Sequence, residues 1–458
     1  RTLLDVLSSG RVNVTKAMTK EEDERERALH AQIVTLNSQL FQSDQKPDDV
    51  RSTVLKAKLE KARLEYEAFQ ANLYTAHPEL KVQRGQSRAL TIAEAGAILP
   101  DNRTAILEYV VTEKNTYLFV VARAAGKTAV AVYSLDLRSD ELGKATESFR
   151  EQVATRDLTF ETPARRLYDQ LVKPAEKQLR GINKLIIVPD GQLWDLPFQA
   201  LRRGEDYVLD DFVISYAPSL SVLREMKKPH AKTPEVQRPP TKFVPDLLAL
   251  GNPDLNVNEV AKLSLLRAED FGPIQSSETE VNTLGQLYGR HRSKILVGKL
   301  ATEEEAKGEA EKYRLLHFAT HAVLDDRNPM YSRIMLSRDE QREDGMLEAW
   351  ELMKMNLTAE MVVLSACQTA RGRVGAGEGV IGMSWALFVA GSPTVVVSQW
   401  KVDSDRTSEL MIDFHRNLVR RGAMTKAEAL RLAALKLRHG RYNHPFYWAG
   451  FVLIGNER

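Results

Sequence analysis

The spacing of apolar residues along the chain changes character twice. Between about 21 and 72 it is helical: Leu29, Ile33, Leu36 and Leu40 make one stripe, and Val54, Leu59, Tyr66, Phe69 and Leu73 make another. The polar run 43–49 between them reads as a turn, which predicts an antiparallel helical hairpin closed by His77-Pro78. From Thr104 the period shortens. Segments 105–111, 116–122 and 128–133 read as strands, the first two joined by a turn at 113–115. Helices are expected over 139–154 and 163–179, the second with Thr162 as N-cap and Pro163 in first position, and 184–188 as a buried strand. Five prolines, at 229, 234, 239, 240 and 245, then mark an extended linker.

Beyond the linker, strand and helix patterns alternate. Strands are expected at 247–251, 294–297, 314–320, 361–366, 394–398 and 451–454. Capping boxes at Ser277–Glu280, Thr302–Glu305 and Thr425–Glu428 announce helices. The alternation implies a mostly parallel sheet with helices on both faces. The expected organisation is a helical hairpin (1–82), an α/β subdomain with neither Cys nor His at its strand ends (83–227), the linker (228–245) and a second α/β subdomain (246–458).

Two of these strands end on residues fit for catalysis. Val362-Val363-Leu364-Ser365-Ala366 runs into Cys367, the only cysteine, and Leu315-Leu316-His317-Phe318-Ala319-Thr320 runs into His321, 46 positions earlier. Ligands of open α/β sheets bind beyond the carboxyl ends of strands. A thiol is mostly protonated at neutral pH, and an imidazole that takes its proton makes it a nucleophile. Singly, each residue has a structural reading: a buried Cys as a small hydrophobe, a strand-end His as packing. Together they form a candidate dyad. His317 reads as structural, and Thr320 as a candidate to orient a ring.

At these residues the sequence resembles the CHAT domain family, which belongs with caspases and separase among cysteine peptidases. The matching pieces are Leu316-His317-Phe318-Ala319-Thr320-His321-Ala322, Leu364-Ser365-Ala366-Cys367-Gln368-Thr369, Gly377-Glu378-Gly379, Ser398-Gln399-Trp400-Lys401-Val402-Asp403 and Pro445-Phe446-Tyr447-Trp448-Ala449-Gly450-Phe451. The loop Pro189 to Phe198 also resembles CHAT sequences. The resemblance implies a caspase-like, mostly parallel sheet flanked by helices, preceded by a catalytically silent α/β half and by helices that commonly belong to tetratricopeptide arrays. No 34-residue repeat is visible in the chain itself.

It also implies a cysteine endopeptidase with Cys367 and His321 as dyad and the backbone N–H groups of Cys367 and Ala322 as oxyanion hole; caspases carry glycine where Ala322 stands. Asp403 falls near the acidic pocket position of separase-like enzymes, with Asp405 and Glu378 nearby, which points to a basic residue before the scissile bond. The separase pattern has its Asp one position further on, at Ser404, so Asp403 or Ser404 has a helix-capping reading as well. Asp190 and Asp195 read as capping and turn residues. Within the linker, Lys228, Lys232, Arg238 and Lys242, with Lys227 before it, make a candidate self-cleavage segment, against the reading of an uncut spacer.

Composition narrows the rest. A chain of 458 residues exceeds one ordinary core, and 64 Lys+Arg against 62 Asp+Glu give +2, so nucleic acid is not an expected partner. One cysteine allows no internal disulfide, which suits a cytoplasmic location. No apolar run is long enough for a membrane span, and the start at Arg1 suggests a piece of a longer protein. Gly377-Glu378-Gly379-Val380-Ile381-Gly382 spells G-x-G-x-x-G but stands 10 positions past Cys367 rather than directly after its strand, and Gly126-Lys127-Thr128 lacks the first glycine of a phosphate loop. No cofactor is expected, and the nine histidines lack metal-ligand spacing.

Expected partners are a protein or peptide substrate and an activator that engages the helical region and orders the loop 372–382 of a latent enzyme. The competing reading is a non-catalytic CHAT scaffold, since such domains occur in bacterial signalling and defence proteins.

Overall fold

The computed structural model describes residues 19–42, 50–76, 90–124, 126–227, 246–255, 271–325, 329–338, 343–366, 378–401, 403–420 and 424–457. Helices α1 (Lys20–Gln42) and α2 (Val50–Ala76) form the hairpin read from the stripes. Leu29, Ile33 and Leu36 of α1 pack against Leu55, Leu59, Ala62 and Tyr66 of α2. Val54 is an exception at 46% exposed, because the next residue, Leu55, takes the buried position of that turn. The side chains of Leu40 and Leu73, the turn at 43–49 and the closing His77-Pro78 lie outside the described residues.

Helix α3 (Ile92–Ile98) begins in a full capping box, with Thr91 and Glu94 each accepting from the other's amide. Strands β1 (Thr104–Val111), β2 (Thr116–Ala124) and β3 (Lys127–Leu135) form an antiparallel meander. There follow α4 (Ser139–Ala154), α5 (Glu161–Leu171), β4 (Lys184–Val188), the small hairpin β5 (Arg202–Arg203) and β6 (Asp206–Tyr207), α6 (Val208–Asp211), β7 (Val213–Tyr216) and α7 (Leu220–Lys227). Helix α5 corrects the expectation for 163–179. It continues directly from a 3-10 turn at Leu158–Phe160 that Asp157 caps, so Thr162 lies inside the helix. It ends at Leu171 because Pro174 removes a donor and crowds the preceding turn, and a 3-10 turn at Lys173–Ala175 follows.

The second half holds β8 (Leu247–Pro253), α8 (Gln275–Tyr288), β9 (Ser293–Gly298), α9 (Glu303–Glu309), β10 (Leu315–Ala319), β11 (Ala322–Val323), β12 (Arg333–Met335), β13 (Met346–Glu348), α10 (Ala349–Lys354) and β14 (Met361–Leu364). It closes with α11 (Glu378–Ala390), β15 (Thr394–Ser398), α12 (Ser404–Val419), α13 (Lys426–His439), α14 (Pro445–Trp448) and β16 (Phe451–Gly455). Of the three capping boxes, Thr425 and Glu428 form one in full, and Thr302 accepts from the Glu305 amide. The third does not form. Helix α8 starts ahead of it, at Gln275, and the Ser277 hydroxyl donates to the Ile274 carbonyl while Glu280 turns into the core to meet His317.

Eleven strands make one sheet in the order β3-β2-β1-β4-β7-β16-β15-β14-β10-β8-β9. Seven of its ten neighbouring pairs are parallel; the meander and the β15–β16 pair are the antiparallel ones. The halves on either side of the linker are joined edge to edge rather than stacked. The last strand, β16, inserts between β7 of the first half and β15 of the second. Helices cover both faces. On β10, alternate residues go to opposite layers: Leu316 and Phe318 into the large core, and Ala319 against Val281 and Leu284 of α8. Gly251 in β8 permits this close approach, since a Cβ there would stand 2.8 Å from Val281 and 2.9 Å from the Ser277 carbonyl.

A separate three-stranded sheet, β11-β12-β13, grows directly out of the end of β10. No helix among the described residues is long and apolar enough to cross a membrane.

Candidate active site

Strands β10 and β14 are parallel neighbours whose register is offset by a constant 46 residues, Leu315 facing Met361 and Phe318 facing Leu364. The same 46 positions separate His321 from Cys367. Ser365 and Ala366, the two residues past the end of β14, are both buried; Cys367 itself lies outside the described residues.

His321 is 6% exposed and held on two sides. Its Nε2 stands 2.9 Å from the carbonyl oxygen of Gly272, and its ring meets the Phe271 ring at 5.6 Å, edge to face. A carbonyl only accepts, so Nε2 carries the proton and Nδ1 is the basic nitrogen of the neutral ring. The main chain is pinned as well. The His321 carbonyl accepts from the Met335 amide, and the Thr320 hydroxyl donates to the Met335 carbonyl at 2.5 Å. Thr320 therefore fixes the backbone on which the ring is mounted rather than touching the ring.

Ala322 and Val323 face Ile334 and Arg333 in the antiparallel β11–β12 ladder. Because Met335 donates to His321 across this ladder, the alternation of bonded and non-bonded pairs turns the Ala322 amide away from β12. Strand β11 is the edge of its sheet, so that amide points outward.

On the other side of β14, the Ser398 hydroxyl donates to the Ala366 carbonyl at 3.0 Å, both groups being buried. The ladder between β14 and β15 stops at Leu364 and Val397, so a side chain takes over where main-chain pairing ends. Trp400 is buried and donates its indole N–H to the Phe446 carbonyl, and Gln399 donates to the Trp194 carbonyl in the loop after β4.

Asp403 is the N-cap of α12, accepting from the Arg406 amide at 3.0 Å, and Asp405 is exposed in the first turn. Glu378 opens α11, its side chain outside the described residues; residues 378–382, expected in a loop, are the first turns of that helix because the run from Val380 to Ala390 is apolar enough to bury on all sides. Gly377, the residues 367–377 and the linker 228–245 also lie outside the described residues. Lys227 donates to the Ile98 carbonyl. Asp190 accepts from the Val111 amide at 2.8 Å.

His317 belongs to a different constellation. It is fully buried, its Nε2 lies 2.6 Å from Glu280 and its Nδ1 lies 3.1 Å from Nε2 of His415, whose Nδ1 lies 2.9 Å from the Tyr288 hydroxyl. Ser408 completes the set at 2.9 Å from Glu280. Burial drives the His415 pKa well below its ordinary value, and the neighbouring His317 adds to that. With His415 neutral, one set of donors fits the whole chain: Tyr288 donates to His415, His415 to His317, and His317 to Glu280. The chain ties β10 to α8 and α12 from behind.

Glu303, Glu343 and Glu351 also gather, with one oxygen from each within 4.8 Å of the others. Lys307 stands among them, 2.7, 3.1 and 2.8 Å from the three. Burial, then Glu351, raises the Glu303 pKa well above the usual range. An internal ammonium thus occupies the place a cation would take.

Sequence reading missed Gly272, Glu280, His415 and Ser398 as contributors. Only Ser398 carried a signal, by its place in the motif that ends at Asp403.

The class defined by this arrangement is an α/β protein with a candidate His just past the carboxyl end of one parallel strand, whose neighbour is followed in sequence by the only cysteine. A match to the CHAT domain covers residues 161–456, and the chain belongs to that family. Curated relatives are tetratricopeptide repeat protein 28 of mouse, 26% identical over 343 residues, and of human, 28% identical over 340. In each case the alignment takes in 64% of this chain and 13% of the relative, so the chain spans a small part of those proteins. Similar solved structures include the Saccharomyces cerevisiae separase–securin complex, with TM-score 0.49 and 10% identity over 83% of this chain and 31% of that one. Another is the Arg-specific cysteine proteinase gingipain R, with TM-score 0.40 and 10% identity over 69% of this chain and 75% of that one.

Proposed function

We propose that this chain is a cysteine endopeptidase that works through Cys367 and His321. The observation that carries the reading is the shared 46-residue offset: strands β10 and β14 pair with the spacing that separates the two residues, and the ring of His321 is already fixed by Gly272 with Nδ1 as its base. The Cys367 thiol loses its proton to His321, the thiolate attacks the peptide carbonyl, and the imidazolium protonates the leaving amine as the C–N bond breaks. Water, deprotonated by His321, then hydrolyses the thioester and regenerates the thiol. The outward amide of Ala322 and that of Cys367 are the donors for the oxyanion, and losing one such donor typically costs about 3 kcal/mol. Asp403, Asp405 and Glu378 are the proposed source of a preference for Arg or Lys before the scissile bond, and an activator acting through the helical region is the proposed trigger.

The test is labelling of the intact chain with acyloxymethyl ketone peptides ending in Arg, Lys, Met, Leu or Asp, read by mass. Stoichiometric modification of Cys367 that is lost in His321→Ala supports the dyad. If only non-basic probes label, the acidic pocket is wrong and the peptidase stands. If every probe fails, with and without candidate activators, while iodoacetamide still alkylates Cys367, the scaffold reading replaces this one.

A further inference from the structure

The helical hairpin meets the rest of the chain at the small sheet that starts one residue after His321. Arg63 of α2 reaches Glu348, the last residue of β13, at 3.0 Å, and its guanidinium lies over the Tyr331 ring at 4.3 Å. Tyr66, one turn further along, packs on Trp350 at 5.4 Å, and the Trp350 indole donates to the other Glu348 oxygen at 2.6 Å. Glu348 is 2% exposed, and Arg333, the partly buried residue opposite it on β12, comes within 3.8 Å. Arg63 thus supplies the closest cation to a buried carboxylate that has two cations beside it.

From Glu348 the path to His321 is short. Arg333 pairs with Glu348 on one side and with Val323 on the other, Ile334 pairs with Ala322, and the Met335 amide donates to the His321 carbonyl. Strands of two and three residues have too few ladder bonds to hold themselves, so this sheet depends on what packs against it. The hairpin supplies part of that support.

We infer that Arg63 and Glu348 are positioning residues for His321: docking of the hairpin on Glu348 holds β13 and β12, and through them the main chain that mounts the imidazole. The consequence for catalysis rests on the reading of His321 as the proton carrier; the mechanical link does not. Release of the hairpin removes one of the cations that neutralise Glu348, and breaking a buried pair from one side is strongly destabilising. The damage falls first on the weakest neighbouring element, the small sheet.

The experiment compares the full chain with Arg63→Ala, Tyr66→Ala and Arg63→Lys by hydrogen exchange and by rate of probe labelling against pH. In the two alanine variants, exchange of amides in 322–335, that of Met335 included, is expected to rise about tenfold or more, with β14 and β15 unchanged and Arg63→Lys in between. The pH profile of labelling is expected to move toward that of His321→Ala, whereas simple loss of folded protein lowers the amplitude and leaves the profile in place. Faster exchange confined to residues 20–76, or a pH profile that does not move while 322–335 opens, overturns the inference. A wild-type chain that no probe labels, with or without candidate activators, while iodoacetamide still alkylates Cys367 and the exchange pattern is as expected, removes the peptidase reading and leaves the link from hairpin to His321 standing.

Discussion

Replacing His415 by leucine tests the buried chain behind β10, and its effect is expected to depend on pH in a defined direction. At pH 7.5 the change leaves the Tyr288 hydroxyl and Nδ1 of His317 without their partner. Each buried orphan costs about 1–3 kcal/mol, against roughly 1.5–3 kcal/mol returned by the buried leucine side chain. At the midpoints of these ranges the variant is expected to be less stable by about 2 kcal/mol. Acid narrows the gap. Burial holds the folded His415 pKa well below its unfolded value of about 6.5, so the unfolded state binds the proton first.

A depressed pKa means stability that is present above about pH 6.5 and is lost as pH falls below it, at up to about 1.4 kcal/mol per pH unit. Only the wild type pays this cost, so by pH 5.5 its advantage shrinks by about 1.3 kcal/mol. Urea unfolding of both proteins at pH 7.5, 6.5 and 5.5 measures it, and carboxylates common to both cancel in the difference. A gap that stays constant across the three pH values would refute a neutral, proton-excluding His415.

Further predictions concern the site itself. His321→Ala is expected to slow labelling of Cys367 by a factor of about 10²–10⁴, while His317→Asn leaves the labelling rate of the folded fraction unchanged and lowers stability, because the partners of His317 among the described residues are Glu280 and His415. Ser398→Ala removes the donor to the Ala366 carbonyl and is expected to slow labelling about tenfold, with Ser398→Thr restoring most of the rate; equal rates in all three would mean that this bond does not position the segment leading to Cys367. Asp403→Asn keeps an N-cap acceptor for Arg406, so stability should stay within about 0.5 kcal/mol, whereas Asp403→Ala costs about 1 kcal/mol. If Asp403 also sets specificity, the Asn variant loses the preference for Arg and Lys probes over Met; an unchanged preference restricts Asp403 to capping.

Much of this was legible in the sequence because the signals were local. The helical hairpin, the meander, the alternating strands and the cap at Thr425 follow from period and capping chemistry, and the resemblance that named the CHAT family rested on short contiguous motifs. The spacing of His321 and Cys367 was readable as a number; that it equals the register of β10 against β14 was not, since register is set by how the sheet pairs.

Of the helix boundaries that differed, that of α5 has a local cause in Pro174, and that at Ser277 a tertiary one. Ser277 and Glu280 spell a capping box, yet Glu280 has a buried histidine to meet, and that bond outweighs a cap in water. Nor does any local pattern show that β16, the last strand, closes the gap between the two halves, or that Arg63 reaches a carboxylate 285 positions away. The sequence alone determined which elements form and which residue types end the strands, because those depend on neighbours within a few positions. Only the tertiary structure decided which carbonyl orients His321, which partners bury His317, and what the hairpin rests on, because these depend on contacts between segments far apart in the chain.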